Sequence, residues 1–370
     1  MQLVDLLSAT EAEAARQLSI CNACRYCESY CAVFPALQRR TDFGAADIRQ
    51  LANLCHNCKS CYYACQYSPP HSFAVNLPAA LSEARAGSYE VYAWPQPLAR
   101  LFYRNGLVVS LASALAVALT LIGVAYAKGL PSLFTVHRGP GSFYLSIPWS
   151  LLAGLSTATL LFSTLALAVG GVRFWRDRPS GLRRSGLRPT VEALGDVLTL
   201  RNLGGGAAEG CNDLDIAYSK GRRRLHHALF YGFLLCFAST TSAWFMDRFL
   251  GELAPYPWLS APVLLGTVGG LGLLVGSAGL LHMLLIAEQG PTVRRLQGGS
   301  AAILALLFLT AATGLLLLFT RETAAMTLLL AVHFGLVLAF FLLLPYSKMV
   351  HGIYRSLALL RDRQEQAAAP

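Results

Sequence analysis

The chain has 370 residues, 55% of them hydrophobic and 14% charged, with a formal net charge of +10. A soluble domain is about one quarter charged, so a soluble fold of this length is excluded and a membrane protein is indicated. The basic excess raises nucleic acid as a partner, but the positions of the charges, given below, argue against it.

Eight of the ten cysteines lie in the first 65 residues, in two runs of one spacing. The runs are Cys21, Cys24, Cys27 and Cys31, then Cys55, Cys58, Cys61 and Cys65. The stretch before them is short, acidic in places and lacks an apolar h-region. A reducing compartment is therefore expected, where thiols ligate metal rather than pair as disulfides.

C-x2-C-x2-C-x3-C supplies three thiolates from one tight loop and a fourth just downstream, which suits the corners of a cubane cluster. Zinc sites use two separated C-x2-C pairs instead. In two-cluster ferredoxins the last cysteine of each run serves the other cluster. That pattern predicts one [4Fe-4S] cluster on Cys21, Cys24, Cys27 and Cys65, and a second on Cys31, Cys55, Cys58 and Cys61. Bacterial ferredoxins place proline after the fourth cysteine, whereas Ala32 and Gln66 stand there in this chain. The segment between the runs, "AVFPALQRRTDFGAADIRQLANL", reads as helix. The expectation for residues 1–100 is thus an all-helical two-cluster ferredoxin domain with an amphipathic connector. Tyr89, Tyr92, Trp94, Phe102 and Tyr103 of that connector read either as an interfacial aromatic belt or as ordinary packing on the domain.

From residue 101 to 370 the pattern becomes apolar, and six transmembrane helices are expected at about 106–127, 148–172, 226–246, 262–287, 301–320 and 326–345. Each is long enough to cross ~30 Å of hydrocarbon. Pro345 is expected to kink the last helix without ending it. Six crossings leave both termini on one side. Of the 30 Lys and Arg residues, all but Lys128, Arg138, Arg248 and Arg321 fall on that side. This asymmetry makes the cysteine domain and the 173–225 loop cytoplasmic. It also accounts for the net charge without nucleic acid, with the basic loop read as a topology determinant facing anionic lipid.

An ionisable residue within a membrane helix is a functional candidate by default. His226 and His227 open the third helix, and His351 follows the sixth, at matching depth. Histidines on two helices of a bundle are what bis-His haem ligation needs; the alternative is interfacial snorkelling beside the arginines. One b-type haem is expected, since no C-x-x-C-H motif is present for covalent attachment. His333 lies about 27 Å from His351 along a helix at ~1.5 Å per residue. Cys236 and Phe237 occupy the places where its partner would stand, so no second haem is expected. His282 and His333 read as satisfied core or headgroup histidines, with His333 a lesser candidate for bonding quinone. Cys236 reads as a small buried side chain, and Cys211, in a glycine-rich loop, is assigned nothing.

The strings "CRYCESYCAVFPALQRR", "LANLCHNCKSCYYACQYSPPHSFAVN", "YAWP", "HHALFYGFLLCFAST" and "LPYSKMVHGIYR" resemble the tricarballylate-utilisation (citrate-utilisation) iron–sulphur membrane proteins. The resemblance runs through nearly the whole chain. The last four helices are more faintly similar to the cytochrome b (gamma) subunit of nitrate reductase, which supports His351 and leaves His226 and His227 as alternatives. The resemblance implies an electron-transfer subunit in the bacterial inner membrane. Such a protein reoxidises a partner FAD-dependent tricarballylate dehydrogenase and passes electrons through clusters and haem to membrane quinone. A related relay serves cobalamin synthesis at the precorrin ring contraction. A transporter or sensor with a regulatory cluster domain is the rival class. Inverted repeats with broken helices would mark a transporter, and none is seen in the sequence.

Overall fold

The structure, a computed structural model, describes residues 7–102, 106–177, 186–205 and 209–368. Tyr103 of the aromatic group and the 178–185 and 206–208 parts of the basic loop lie outside the described residues. Among the described residues the chain is mainly α and contains no strand.

The cysteine-bearing part comprises α1 (Ala9–Cys24), α2 (Val33–Gln38), α3 (Ala45–Leu54), α4 (Ser60–Tyr63), α5 (Leu77–Tyr92) and α6 (Gln96–Phe102). Ser8 starts α1 through a reciprocal cap: its hydroxyl accepts from the Glu11 N–H, and the Glu11 carboxylate accepts from the Ser8 N–H. The segment between the cysteine runs is α2 and α3, helix as expected. Ile48, Leu51 and Ala52 of α3 bury their side chains against Ala14 and Leu18 of α1 and Leu81 and Ala84 of α5.

The remainder comprises α7 (Gly106–Lys128), α8 (Ser142–Ser146), α9 (Trp149–Arg176), α10 (Leu187–Leu198), α11 (Gly221–Phe245), α12 (Ala261–Ile286), α13 (Gln297–Thr320), α14 (Met326–Leu343) and α15 (His351–Ala368). Six of these, α7, α9 and α11 to α14, form stretches long and apolar enough to cross a membrane. The chain is a multi-pass membrane protein. The short α10 keeps Leu187, Val191, Leu194 and Leu198 exposed along one stripe, the pattern of a helix at a membrane interface.

Glycines set the closest approach in the bundle. A Cβ on Gly232 of α11 would stand 2.7 Å from the Leu273 nitrogen of α12, and one on Gly276 of α12 would stand 2.6 Å from the Leu229 nitrogen. Only hydrogen fits at these crossings, and backbones meet there as small residues allow in membrane bundles. Cys236 faces this seam, with its Sγ against Gly269, and acts as the small packing side chain expected of it.

Two features depart from the sequence reading. The sixth span ends where a kink was expected: α14 stops at Leu343, and Ser347 is extended at φ −102°, ψ 178°. The Ser347 hydroxyl accepts from the Met349 N–H and starts a fresh turn leading into α15. Pro345 supplies no N–H to carry the helix across this point. The second departure is where α15 goes. Tyr354, Ala358 and Leu359 of α15 join the core made by α1, α3 and α5, together with Phe174 of α9. Arg39 pairs with Asp362, Arg40 with Glu365 at 2.8 Å, and Arg49 with Asp177 at 3.0 Å. The cysteine-bearing part is therefore packed into the bundle's end and shares its core.

Candidate functional site

The cysteine loops are turned by residues other than glycine in left-handed backbone. Arg25 follows Cys24 at φ 57°, and Asn57 and Lys59 flank Cys58 at φ 55° and φ 62°. Such conformations cost of order 1–3 kcal/mol each and persist where the surroundings impose them, often at functional sites. Here they bend the loops so that thiols converge. Cys21, Cys24, Cys27 and Cys65 line one cavity, with Tyr26, Phe34, Tyr67, Val75 and Leu77 around them and Cys61 at its edge. Cys31, Cys55, Cys58 and Cys61 lie close enough to repel one another as thiolates. Cys61 stands near both groups, lining the first cavity and neighbouring Cys31, Cys55 and Cys58.

Burial, then repulsion from neighbouring thiolates, pushes Cys21 and Cys27 up to about 12. The same causes raise Cys31 and Cys61 well above the usual thiol range. Thiols raised in this way ionise readily only beside a cationic centre, which is the chemistry an iron–sulphur core supplies. Among the described residues no three His, Cys, Asp or Glu side chains close on a single ion.

Cys211 belongs beside the second quartet, a placement that the sequence reading missed. Its thiol donates to the Leu203 carbonyl at 3.4 Å, and its closeness to the Cys58 sulphur is the first cause holding Cys58 down to about 6. The backbone around it is docked, not loose. The Asn212 N–H donates to the Cys58 carbonyl at 3.0 Å, and Cys211 and Ser219 exchange backbone bonds at 2.9 Å. Gly210 turns the chain there at φ 119°, where a Cβ would meet the Ser219 carbonyl oxygen at 2.3 Å. Part of the basic loop thus covers the second cysteine run as well as carrying charge.

Beneath that run lies a cavity of about 210 Å³ between the cysteine-bearing part and the bundle. His226 and His351 both line it, with ring centroids 5.9 Å apart and planes at 42°. The His351 Nδ1 donates to the Lys348 carbonyl, which leaves Nε2 as the acceptor nitrogen. The His226 Nδ1 is buried without a partner. His227, the alternative on α11, points elsewhere: its Nε2 meets the Thr199 carbonyl at 3.1 Å and its ring stacks on Tyr231. His282 is exposed on α12. His333 is held by the Thr313 hydroxyl at 3.1 Å and packs on Gly314, away from the cavity.

His56, which follows Cys55, also lines this cavity, and its Nδ1 bonds the Leu54 carbonyl at 2.7 Å. Leu229, Leu280, Ile303 and Leu307 line it with apolar side chains, and Lys59, Arg85, Arg222, Lys348 and Arg355 line it with basic ones. The loop after Cys55 is clamped by three of these arginines. Arg85 reaches the Cys55 carbonyl at 2.5 Å and Arg355 reaches it at 2.8 Å; Arg222 holds the His56 and Asn57 carbonyls at 2.9 Å. Removal from bulk water, then repulsion from Arg85, Arg222 and Arg355, brings the Lys348 ammonium down to about 7. These cations were invisible as a group in the sequence, because they come from four separate parts of it. The one local signal was that Lys348 and Arg355 flank His351.

Residues 100–370 match the family described as Citrate utilization protein B, and residues 14–90 match the Citrate utilization protein B Fer4-like domain. The chain is 44% identical over 357 residues, 96% of its length and 93% of the relative's, to Citrate utilization protein B of Escherichia coli. No solved structure matches the chain.

Proposed function

The chain belongs to the citrate utilization protein B family, and from that premise we propose that it is an electron-transfer protein of citrate or tricarballylate utilisation. In this reading it accepts electrons from a partner FAD-dependent dehydrogenase at the cytoplasmic face of the bacterial inner membrane and delivers them to the quinone pool. Two [4Fe-4S] clusters and one b-type haem, when bound, supply the one-electron carriers for this passage.

One observation carries the reading: the second cysteine run and the histidine pair share a wall. Cys55 and Cys58 belong to one quartet, while His56 and Asn57 between them line the cavity that His226 and His351 face. The proposed ligand sets are Cys21, Cys24, Cys27 and Cys65, and Cys31, Cys55, Cys58 and Cys61. The donor chemistry of the cavity fits a haem. A metal–imidazole bond is about 2 Å, so two rings facing across one ion would stand about 6 Å apart between centroids, close to the separation found here. The Lys348 carbonyl fixes the His351 ring with Nε2 free, the arrangement in which an outer partner orients a metal-ligating histidine. His227 has no part in this proposal, since its ring nitrogen is engaged by Thr199.

The residues do four things here. The thiols hold charge that they could not carry alone. Tyr26, Phe34 and Tyr67 screen the first quartet from water, the Asn212 segment covers the second, and α12 and α13 supply the apolar side of the histidine cavity. Iron and acid-labile sulphide analysis with a pyridine haemochrome assay on the purified protein tests the cofactor set. Zinc in place of iron, or a chain without haem, overturns it. The direction of flow is tested by reducing the protein with dithionite and adding quinone. Re-oxidation of the haem spectrum is expected, and a spectrum that quinone leaves unchanged would refute the role.

A further inference from the structure

The cavity between the second cysteine quartet and the histidines is lined by more cations than carboxylates. Arg85, Lys348 and Arg355 all face it. Arg85 donates to the carbonyls of Ala52 and Cys55, Arg355 to those of Asn53 and Cys55, and Lys348 to the Ser300 hydroxyl at 3.0 Å. Among the described residues none of the three has a carboxylate within ion-pair distance. Asp213, the acid on this wall, is taken by Arg222 at 3.2 Å. Enclosing three cations is costly, and carbonyl dipoles with the thiolates near Cys55 offset only part of that cost. Leu280, Ile303, Leu304 and Leu307 line the same cavity.

We propose that this wall is a carboxylate-binding site for a ligand with an apolar body and two acidic groups, held by Arg85, Arg355 and Lys348. The inference rests on the haem reading above, in which the two groups are the haem propionates. The guanidinium groups are suited to this because their planar donor pairs match a carboxylate. Their backbone bonds keep them in place before the ligand arrives. The shared chemistry could also serve a free polycarboxylate, so the test separates the two sources.

The full chain is expressed in a haem-deficient host, purified in detergent, and titrated with iron protoporphyrin IX and with its dimethyl ester, read by Soret absorbance. The free acid should bind the wild-type protein at least about tenfold more tightly than the ester, a difference that one or two charge-assisted bonds supply. Arg85→Gln and Lys348→Gln should each narrow that ratio, and Arg85→Lys should restore part of it. Cluster absorbance serves as the check that each variant is folded, and the wild-type comparison stands without any variant. Equal binding of acid and ester would overturn the carboxylate site and leave the haem reading intact. If neither porphyrin binds, the haem reading fails, and citrate titrated by calorimetry decides the rest. Saturable citrate binding that both glutamine variants lose would keep the carboxylate site; no citrate binding would remove it.

Discussion

The two cysteine quartets have one spacing and opposite surroundings. Around Cys21, Cys24, Cys27 and Cys65 stand aromatic and aliphatic side chains and Gln66, with no cation lining the cavity, and Tyr26 at its mouth is 66% exposed. Around Cys55 and Cys58, which are buried, stand Arg85, Arg222, Arg355 and the Cys211 thiol. A reduced cluster carries more negative charge than an oxidised one, so cations and donors beside it favour reduction. Equal ligand sets therefore need not have equal potentials. In the proposed relay the outer site is the acceptor from the flavoprotein, and the inner site is the better-stabilised stop before the histidine cavity.

The strongest way to break this comparison is to remove one site at a time. Cys24→Ala and Cys58→Ala should each lower bound iron by about half if each quartet holds one cluster. Reduced-state EPR should then show a different residual signal in the two variants. Iron lost completely in both, or in neither, would deny that the quartets are separate. Next in size is the exit. His226→Ala and His351→Ala should abolish the haem spectrum, while His227→Ala should keep it. The first two should retain both cluster signals and reduction by the flavoprotein, yet stop quinone reduction.

Smaller changes sharpen the comparison. Arg355→Gln should lower the inner cluster's potential by roughly 50–100 mV, as expected for removing one charge at about 8 Å with an effective dielectric near 20. The outer cluster should barely move. Equal shifts at both would mean that the arginines act only as general field. The smallest expected effect comes from Cys211→Ala. Losing a polar thiol beside the Cys58 sulphur, an effect of about 1 kcal/mol, should lower the inner potential by about 40 mV, since a one-electron couple changes tenfold per ~59 mV. Cys211→Ser should recover part of this shift. An unchanged redox titration would leave Cys211 as packing alone.

The eight cysteines and six spans were legible because each is a local pattern, a fixed spacing or an unbroken apolar run. The pairing of His226 with His351 was legible only to within one position, since depth along a helix does not say which neighbour faces inward. The structure separates His226 from His227 through the Thr199 carbonyl, which belongs to a loop the sequence does not place. Arg85, Arg222, Lys348 and Arg355 were hidden for a related reason. Each looks like a cytoplasmic charge obeying the positive-inside pattern, and only the packing of α5, α11 and α15 gathers them. Cys211 lies 153 positions beyond Cys58, so no spacing rule could join them. The break at Ser347 was misjudged because apolar residues continue past Pro345; the hydroxyl cap that starts the next turn is a local geometry, not a hydropathy signal.

The docking of α15 bears on how the molecule is made. Tyr354, Ala358 and Leu359 complete the hydrophobic core around α1, α3 and α5, yet they follow all six spans in the chain. Translation thus delivers the cysteines first and withholds the residues that pack their helices until insertion is nearly complete. Until then the nascent cysteine-bearing segment has an open core, exposed to the insertion machinery and to premature oxidation. Iron loading is then expected to follow membrane assembly, tying cofactor delivery to correctly inserted chains. A chain ending before His351 should still reach the membrane, but it should hold little iron and be cleared by proteolysis.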